Sequence, residues 1–416
     1  MRQPLPRRPP KSVFSAGLSA LVAMAVAACT PSRASESPVA RDSAGIQLVE
    51  STQPGWEPGQ AWTIAAEPTV DFGGDSTQSL ASVGAIVPLA WDGLAIQNNG
   101  TSQLLILDSA GLSVRSIGRQ GQGPGEFAGI WGTFRCGGDS ILVDQGRQVS
   151  IFDAHGQFVA REPIQRAPAM LITGVEGVAG DCSALLLLGQ SQSSSGPKQS
   201  AEQYTLFWTT RRRAASDTAI SFSGPELGTI AIAERQVAAP LPFGRRPVWA
   251  VSRDALYWGS SDHPEIRQYV RGTGLVRVVR WNTRAQPLAD QDRAEYSRRR
   301  TDYLRLYPEE AVAYRDLGEY RTPSTKPIYA GIMVDEAGRI WVRPYPTSAG
   351  GFPTIALPEP NTEPESWWVF DEQGRWLGTV AMPSGLSVMA ITNSHVYGVA
   401  IDSLGAERVR GYRIQR

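Results

Sequence analysis

Short runs of alternating hydrophobic and polar residues recur along this chain, and five of them share one arrangement. In each, a β-rich run is followed by Asp-x-x-Gly and a second β-rich run. Alternation of this kind predicts strands with one buried face. An Asp that caps a turn and a Gly that takes positive φ predict a tight hairpin. The pairs are Asp108/Gly111, Asp153/Gly156, Asp335/Gly338, Asp371/Gly374 and Asp402/Gly405.

Hairpins repeated along the chain, with few helical stretches, predict an all-β fold, a six-bladed β-propeller. The sixth predicted blade supplies only three strands. We expect an N-terminal strand, Ile46–Ser51, to complete this last blade and so remove an open sheet edge. A chance match of 42–45 to the hairpin pattern is the alternative. The predicted blades span 82–118, 130–161, 170–222, 248–281, 329–382 and 386–415.

Residues 287–320 break the strand pattern between predicted blades four and five. The segment is rich in helix formers, and Asp290 is suited to cap a helix N-terminus, so we predict a short helical insert. It is expected on the face that carries the crossover loops between blades and the turns between second and third strands. We call this the crossover face; ligands of propellers conventionally bind there. Two roles of the insert are possible. In the first, Tyr296 anchors it by packing; in the second, it is a lid over the mouth, with Arg299 nearby.

The first 28 residues predict an export signal. Four basic residues precede an apolar stretch, 13–28, that is too short to cross a membrane comfortably. The stretch ends in Val-Ala-Ala before Cys29, which resembles a bacterial lipobox and predicts lipidation of that cysteine. We therefore predict a lipoprotein signal peptide over 1–28, a flexible tether over 29–41 and a propeller over 42–416. An ordinary signal peptide or an uncleaved anchor is the alternative.

Charge limits the class of partner. The chain carries 40 basic and 40 acidic side chains, and the four basic residues of the signal segment leave 36 against 40 in the remainder. This slightly acidic balance argues against a nucleic-acid partner.

Four stretches together carry a resemblance to a known family. They are the lipobox ending at Cys29, "DSAGIQLVE", "GRQGQGPGEF" and "VDEAGRIWV". The chain resembles the bacterial six-bladed β-propeller lipoproteins, relatives of the NHL-type propellers. The resemblance implies an exported protein, lipid-anchored in the cell envelope, and Thr30 favours the outer membrane over the inner. We expect a monomer that meets the membrane only through its lipid. The family has no uniform activity.

The glycine-rich stretch 116–127 raises the question of phosphate binding. Its glycine spacing does not fit a dinucleotide fingerprint, and no Walker A lysine follows. We interpret it as the crossover from blade one to blade two, with Phe127 and Trp131 packed between the blades. Arg119 and Glu126 are expected to pair or to face the mouth.

Several residues are candidates for a ligand site on the crossover face. A calcium site would need six to eight oxygens, and the sequence offers only Glu126, Asp262 and Glu265 as weak metal candidates. His155 and His395 are expected on the opposite face, which argues against a histidine-based metal site or triad. The ligand candidates are Arg119, Gln122, Glu126, Trp131, Asp262, His263 and Arg299.

The chain has three cysteines. Lipidation of Cys29 leaves Cys136 and Cys182 in an oxidising compartment, where an even pair predicts a disulfide. The two are expected at matching turns of neighbouring blades two and three. Two buried, unpaired thiols are the alternative.

The sequence therefore favours a binding or scaffold module over an enzyme, with no catalytic residue and no cofactor assigned. The expected partner is a protein, a glycan or a small molecule at the cell envelope. The alternative is a calcium-dependent, lactonase-like hydrolase or lyase that uses the central mouth of the propeller.

Overall fold

The computed structural model describes most of the chain beyond the predicted signal and tether. The predicted signal peptide, Cys29 and the greater part of the tether lie outside the described residues, as does 307–320 of the predicted insert. The described ranges are 39–73, 80–153, 155–164, 170–191, 203–210, 216–232, 235–306, 323–346 and 365–416.

Six antiparallel sheets form the six blades, and their strands run in order from the inner to the outer edge. Blade one contains β5 (Val83–Pro88), β6 (Leu94–Asn98), β7 (Gln103–Leu107) and β8 (Ser113–Ile117). Blade two contains β9 (Gly132–Cys136), β10 (Ser140–Asp144), β11 (Gln148–Phe152) and β12 (Phe158–Pro163). Blade three contains β13 (Met170–Val178), β14 (Ala184–Ser191), β15 (Gln203–Thr210) and β16 (Ser216–Ser223).

A two-stranded hairpin that the sequence pattern did not reveal, β17 (Leu227–Ile232) with β18 (Arg235–Pro240), separates blades three and four. Blade four contains β19 (Pro247–Ser252), β20 (Ala255–Ser260), β21 (Glu265–Val270) and β22 (Gly274–Trp281). Blade five contains β23 (Tyr329–Val334), β24 (Ile340–Pro344), β25 (Ser366–Phe370) and β26 (Trp376–Ala381). Blade six contains β27 (Leu386–Ile391), β28 (His395–Ile401) and β29 (Glu407–Gln415). The predicted six-bladed propeller is therefore confirmed.

The five Asp-x-x-Gly segments form the predicted turns. In the first, the amide of Gly111 donates to the Asp108 carbonyl at 3.0 Å. The Asp108 carboxylate accepts the amides of Ala110 at 3.0 Å and Leu112 at 2.9 Å. The same carboxylate bonds recur at the other four aspartates, and each turn glycine has positive φ. The carboxylate satisfies amides that the sharp turn leaves without a strand partner.

Hydrophobic side chains fill the spaces between blades. Each of the six interfaces has its own cluster of buried residues. At the interface of blades one and two, for example, Ile106 and Phe152 are almost fully buried. Each blade is therefore fixed on both sides by packing against its neighbours.

The ring is closed by an N-terminal strand, as predicted, but the strand is not Ile46–Ser51. β4 (Val70–Phe72) pairs antiparallel with β29, and β3 (Thr63–Ile64) pairs with the last residues of the same strand. Asp71 strengthens the closure through an ion pair with Arg408 at 2.7 Å. β4 immediately precedes blade one in the chain, so a short connection brings it beside the neighbouring blade six.

The strand predicted to close the ring extends blade four instead. β2 (Ile46–Ser51) runs parallel to β22, and β1 (Val39–Ser43) pairs with β2 at the outer edge. β1 begins three residues before the predicted propeller boundary at 42. The amides of Gly55 and Trp56 then donate to carbonyls of β26 in blade five at 2.9 and 2.8 Å. Residues 46–72, the N-terminal belt, therefore bind the outer edges of blades four, five and six in succession.

A helix, α1 (Asp290–Leu306), lies between blades four and five, as predicted. Its first turn is held by Asp292, which accepts the Ala289 amide at 2.9 Å and pairs with Lys326 at 3.0 Å. Tyr296 is buried against Phe243 with ring centroids 5.9 Å apart. The packing role predicted for Tyr296 is therefore confirmed. No helix within the described ranges has both the length and the apolar character that a membrane span requires.

The disulfide between Cys136 and Cys182 is present, as predicted. Cys136 ends β9, and Cys182 lies in the turn between β13 and β14, so the bond joins neighbouring blades two and three. Both cysteines lie on the face formed by the turns between first and second strands. We call this the first-turn face; it is opposite the crossover face.

Candidate functional site

The glycine-rich crossover is held by an arginine rather than arranged around an anion. Arg161 of β12 donates to the carbonyls of Gln122 at 2.8 Å, Gly123 at 2.6 Å and Glu126 at 2.9 Å. The side chains of Arg119 and Glu126 pair at 2.7 Å, as predicted. The Gly123 amide and the Arg119 guanidinium lower the pKa of the Glu126 carboxyl. A loop that directs carbonyls at a guanidinium is a structural connection, since phosphate binding needs free amides.

The two aromatic residues of this crossover have different environments. Phe127 is fully buried between blades one and two, and a Cβ on Gly118 would collide with its ring. Trp131 is 68% exposed and lies over the turn at Gly146, so the prediction that it packs between blades is wrong. The reason is that the Trp131 amide donates to the Asp144 carbonyl at 2.8 Å, which holds this residue outside the blade interface.

Asp262, His263 and Glu265 lie together at the second turn of blade four, on the crossover face. His263 Nδ1 is 2.9 Å from Asp262 Oδ1, and the imidazole is exposed. Burial alone would raise the pKa of Asp262, but hydrogen bonds from Ser260 and His263 lower it overall. Glu265 binds both Arg280 and Arg267 at 2.7 Å, and these partners outweigh burial and lower its pKa.

The three carboxylates considered for calcium do not form a shared site. Within the described ranges, no three His, Cys, Asp or Glu side chains lie close enough to hold a metal ion. Glu126 and Glu265 each bind arginine, and Asp262 binds Ser260 and His263. These partners take up the oxygens that a calcium ion would require.

The predicted ligand residue Arg299 belongs to a charged face of α1. Its Nε donates to Glu295 at 2.8 Å, and Arg298 bonds the same carboxylate at 2.8 Å. These hydrogen bonds from Arg298 and Arg299 lower the pKa of Glu295 to about 2. Arg298 also pairs with Asp302 at 2.9 Å. The arrangement is a salt-bridged, solvated helix face rather than a ligand clamp.

A cavity of about 730 Å³ lies on the propeller axis and opens on the first-turn face. All six inner strands or their first turns contribute to its wall. The wall contains Trp249 of β19, Met333 of β23 and Met389 of β27. A second pocket of about 300 Å³ adjoins it between blades four and five and shares Ser252 of β19. The axial cavity has the size of small-molecule sites, and its lining presents polar and apolar atoms in similar amounts.

Charged side chains from three blades surround the cavity mouth. Arg135 and Asp139 come from blade two, Arg253 and Asp254 from blade four, and Glu336 from blade five. Arg135 lies 3.6 Å from Glu336 and 3.7 Å from Asp139. The site therefore combines an apolar wall with a rim of both charges.

Two acidic side chains with raised pKa values, the half-buried Glu176 and the fully buried Asp144, come from neighbouring blades three and two. Trp249 Nε1 donates to Glu176 Oε2 at 3.1 Å. Burial raises the pKa of Glu176, and the charge of Asp144 raises it further. Burial likewise raises the pKa of Asp144, although amides of Gly146 and Val175 donate to it. Both carboxyls therefore keep a proton to a higher pH than the same groups do in water.

The rim and wall were missed because the sequence argument considered only the crossover face. His155 and His395 do lie at turns away from it, as predicted, and burial lowers the pKa of His395. The useful signal was the position of Arg135, Arg253 and Glu336, which end or directly follow predicted inner strands. One such position from each blade converges on the axis of a propeller, six in this one, so charged residues there mark the mouth.

Fold and cavity define the class of protein as a six-bladed β-propeller with an axial cavity. The sequence matches no family model and no curated protein. The structure is similar to a member of the DUF4221 family from Bacteroides vulgatus, with a TM-score of 0.53 and 12% identity over 85% of this chain and 98% of that one. It also aligns with a gluconolactonase from Xanthomonas campestris, with a TM-score of 0.40 and 11% identity over 86% and 99% of the chains. At 12% identity the similarity to the DUF4221 protein shows the fold alone.

Proposed function

We propose that this chain is an exported, lipid-anchored binding protein whose axial cavity holds a small, partly apolar molecule. The observation that carries the proposal is the cavity of about 730 Å³, lined by Trp249, Met333 and Met389 and open on one face. Pockets of this size bury most of a drug-sized ligand. Six interblade clusters hold the wall rigid, so binding requires little ordering of the protein.

The placement at the cell envelope is supported by the sequence at the N-terminus. The predicted signal peptide 1–28, lipidation at Cys29 and a tether over 29–41 fit a bacterial propeller lipoprotein, and Thr30 favours the outer membrane. In this arrangement the lipid holds the domain at the membrane and the cavity collects its ligand from the surrounding fluid. Metabolic labelling with a palmitate analogue tests this. Wild type should be labelled and Cys29→Ser should not; an unlabelled wild type would contradict the lipid anchor.

Fluorescence titration with N-phenyl-1-naphthylamine tests the binding function. This neutral, apolar probe fluoresces on entering an apolar site. We expect one saturable site in the purified protein, and loss of that site in Ser252→Trp, which places an indole at the cavity wall. Absence of saturable binding in wild type would contradict the proposal. Unchanged binding in Ser252→Trp would place the probe elsewhere.

A calcium titration separates this proposal from the alternative of a calcium-dependent hydrolase or lyase. Binding to the native state at about 100 times Kd stabilises a protein by about 2.7 kcal/mol. If the alternative holds, millimolar calcium should raise the Tm of protein stripped with EDTA. The binding function predicts no rise, since Glu126 and Glu265 already bind arginine.

A further inference from the structure

Two arginines approach one turn from different blades at the cavity mouth. Arg135 of blade two lies with Nη2 3.6 Å from Oε1 of Glu336 in blade five. Blades two and five are three positions apart in a ring of six, so this ion pair crosses the axis. Arg253 of blade four donates to the backbone carbonyl of Glu336 at 3.5 Å. Arginines from two other blades therefore point their positive charges at the Glu336 turn.

Two of the three rim carboxylates, Asp139 and Asp254, have close partners, whereas within the described ranges Arg135 and Arg253 approach theirs only to between 3.5 and 3.7 Å. Asp139 accepts the Ala90 amide at 2.8 Å, and Asp254 accepts a bond from Arg271 at 2.9 Å. Arg135 approaches its two carboxylates only to 3.6 and 3.7 Å. Its Nη1 atom is buried and makes no hydrogen bond within the described part of the chain. A buried donor without a bond is uncommon in folded proteins and calls for an explanation.

A ligand with an acidic group would give Arg135 a closer partner than Glu336, which lies 3.6 Å away. The guanidinium fork matches two oxygens of a carboxylate, sulfonate or phosphate in one plane. Glu336, which is 39% exposed, can turn into water when such a group takes its place beside Arg135. The apolar body of the same ligand would lie against Trp249 and the adaptable side chains of Met333 and Met389.

We propose that the axial cavity selects small molecules that combine an apolar body with an acidic group, that Arg135 binds the acidic group, and that Glu336 competes with the ligand for Arg135. This inference rests on the proposed binding function. It names the chemical class of the ligand and the residue that selects it. A ligand must displace the Glu336 carboxylate before it can bind Arg135. A neutral apolar molecule does not release Arg135 from Glu336, so it gains nothing from this arginine.

Two probes that differ by a single acidic group test the selection. 1-Anilinonaphthalene-8-sulfonate is N-phenyl-1-naphthylamine with one sulfonate added, and both are measured by fluorescence titration. We expect Arg135→Met to weaken binding of the sulfonate by about tenfold, the range of a hydrogen-bonded charge pair. Binding of the neutral probe should change by less than about twofold, because the lost interaction is with the charge alone.

The variant Glu336→Gln tests the proposed competition between Glu336 and the ligand. Removal of the competing charge should tighten binding of the sulfonate about threefold and leave the neutral probe unchanged. Arg119→Met is the matched control, since it removes an arginine of an Arg–Glu pair on the crossover face. It should leave the affinity of both probes at the wild-type value.

The failures of the two proposals are distinguishable. Absence of neutral-probe binding in wild type contradicts the proposed function. If wild type binds the neutral probe but Arg135→Met does not lower the affinity for the sulfonate, only the selection by charge is overturned. The proposed binding function then still stands. Sulfonate binding in Glu336→Gln that is no tighter than in wild type overturns the role of Glu336 as competitor. An equal response to Arg119→Met and Arg135→Met overturns the selection by Arg135.

Discussion

Glu176 makes the stability of this protein depend on pH. Burial raises the pKa of this carboxyl, the charge of Asp144 raises it further, and the bond from Trp249 partly offsets both. A carboxyl with a higher pKa in the folded state stabilises the fold fully below its unfolded pKa. That contribution is lost as the pH rises through the folded pKa. The native protein should therefore become less stable on deprotonation of Glu176.

Glu176→Gln tests this directly. The amide oxygen of glutamine still accepts the Trp249 bond but the side chain does not ionise. We expect the Tm of the variant to rise relative to wild type between about pH 4 and about pH 8. Differential scanning calorimetry across this range measures the difference, and Glu372→Gln at an exposed turn is the control. A difference that stays constant with pH would show that Glu176 does not titrate as described.

Position 118 requires glycine for two reasons, the conformation of its own backbone and the close approach of a neighbouring side chain. Its φ is +78°, and a Cβ there would meet the ring of the fully buried Phe127. We expect Gly118→Ala to lower the free energy of unfolding by about 2 kcal/mol or more, from strain and overpacking together. Urea denaturation measures the loss. Gly129→Ala is the control, because a Cβ at Gly129 meets no atom within 4 Å.

The same loop shows how far local sequence predicts the role of a residue. Burial of Phe127 and the pairing of Arg119 with Glu126 followed from the loop as a crossover. Exposure of Trp131 did not, because it depends on a backbone bond to Asp144 in another strand. Hydrophobic character predicts that a side chain is suited to burial, but the backbone decides whether it reaches the core.

At the scale of elements, the disulfide fixes blade two to blade three. It closes a separation of 46 residues, for which the chain-entropy model gives about 4 kcal/mol. We expect the double variant Cys136→Ser, Cys182→Ser to lose about this much stability in guanidinium chloride denaturation. Wild type with the bond reduced should match the double variant. A reduced wild type with an unchanged midpoint would contradict a stabilising role.

The N-terminal belt depends on Trp62. Its ring lies 5.0 Å from the Arg339 guanidinium, 4.5 Å from that of Arg416 and 6.0 Å from the ring of Trp341. Trp62→Ala should cost about 2 kcal/mol of unfolding free energy, since the side chain is half-buried between blades five and six. The midpoint of urea denaturation measures this cost.

Trp131→Ala is the matched control for Trp62→Ala, since Trp131 is 68% exposed. It should change stability by less than about 0.5 kcal/mol. Equal losses at the two positions would contradict the different environments assigned to them.

Elements were predictable where the signal was local. The Asp-x-x-Gly turns mark four of the blades, and together with the alternating strand pattern they located all six blades to within a few residues. Local sequence did not show which strand closes the ring. Val70–Phe72 and Ile46–Ser51 both have strand character, and the difference lies in chain distance to blade one and in the free edge of β22. These are properties of the assembled ring.

At the scale of the whole molecule, the ring creates the site. The walls of the axial cavity come from strands spread over residues 87–392, and no segment alone contains a binding pattern. Composition and motifs therefore predicted the propeller but directed the search for a ligand to the crossover face. There the predicted candidates Glu126, Asp262 and Arg299 are held by Arg119, His263 and Glu295 respectively. The mouth on the first-turn face follows only from the closed ring.

The central claim is that a small molecule binds on the first-turn face, and thiol protection locates it directly. Ser252→Cys introduces a thiol at the cavity wall, and Ala128→Cys introduces one on the exposed crossover loop. The rate of alkylation by iodoacetamide is measured with and without saturating N-phenyl-1-naphthylamine. We expect the probe to slow alkylation in Ser252→Cys several-fold and to leave the rate in Ala128→Cys unchanged. Protection in Ala128→Cys alone would contradict the account.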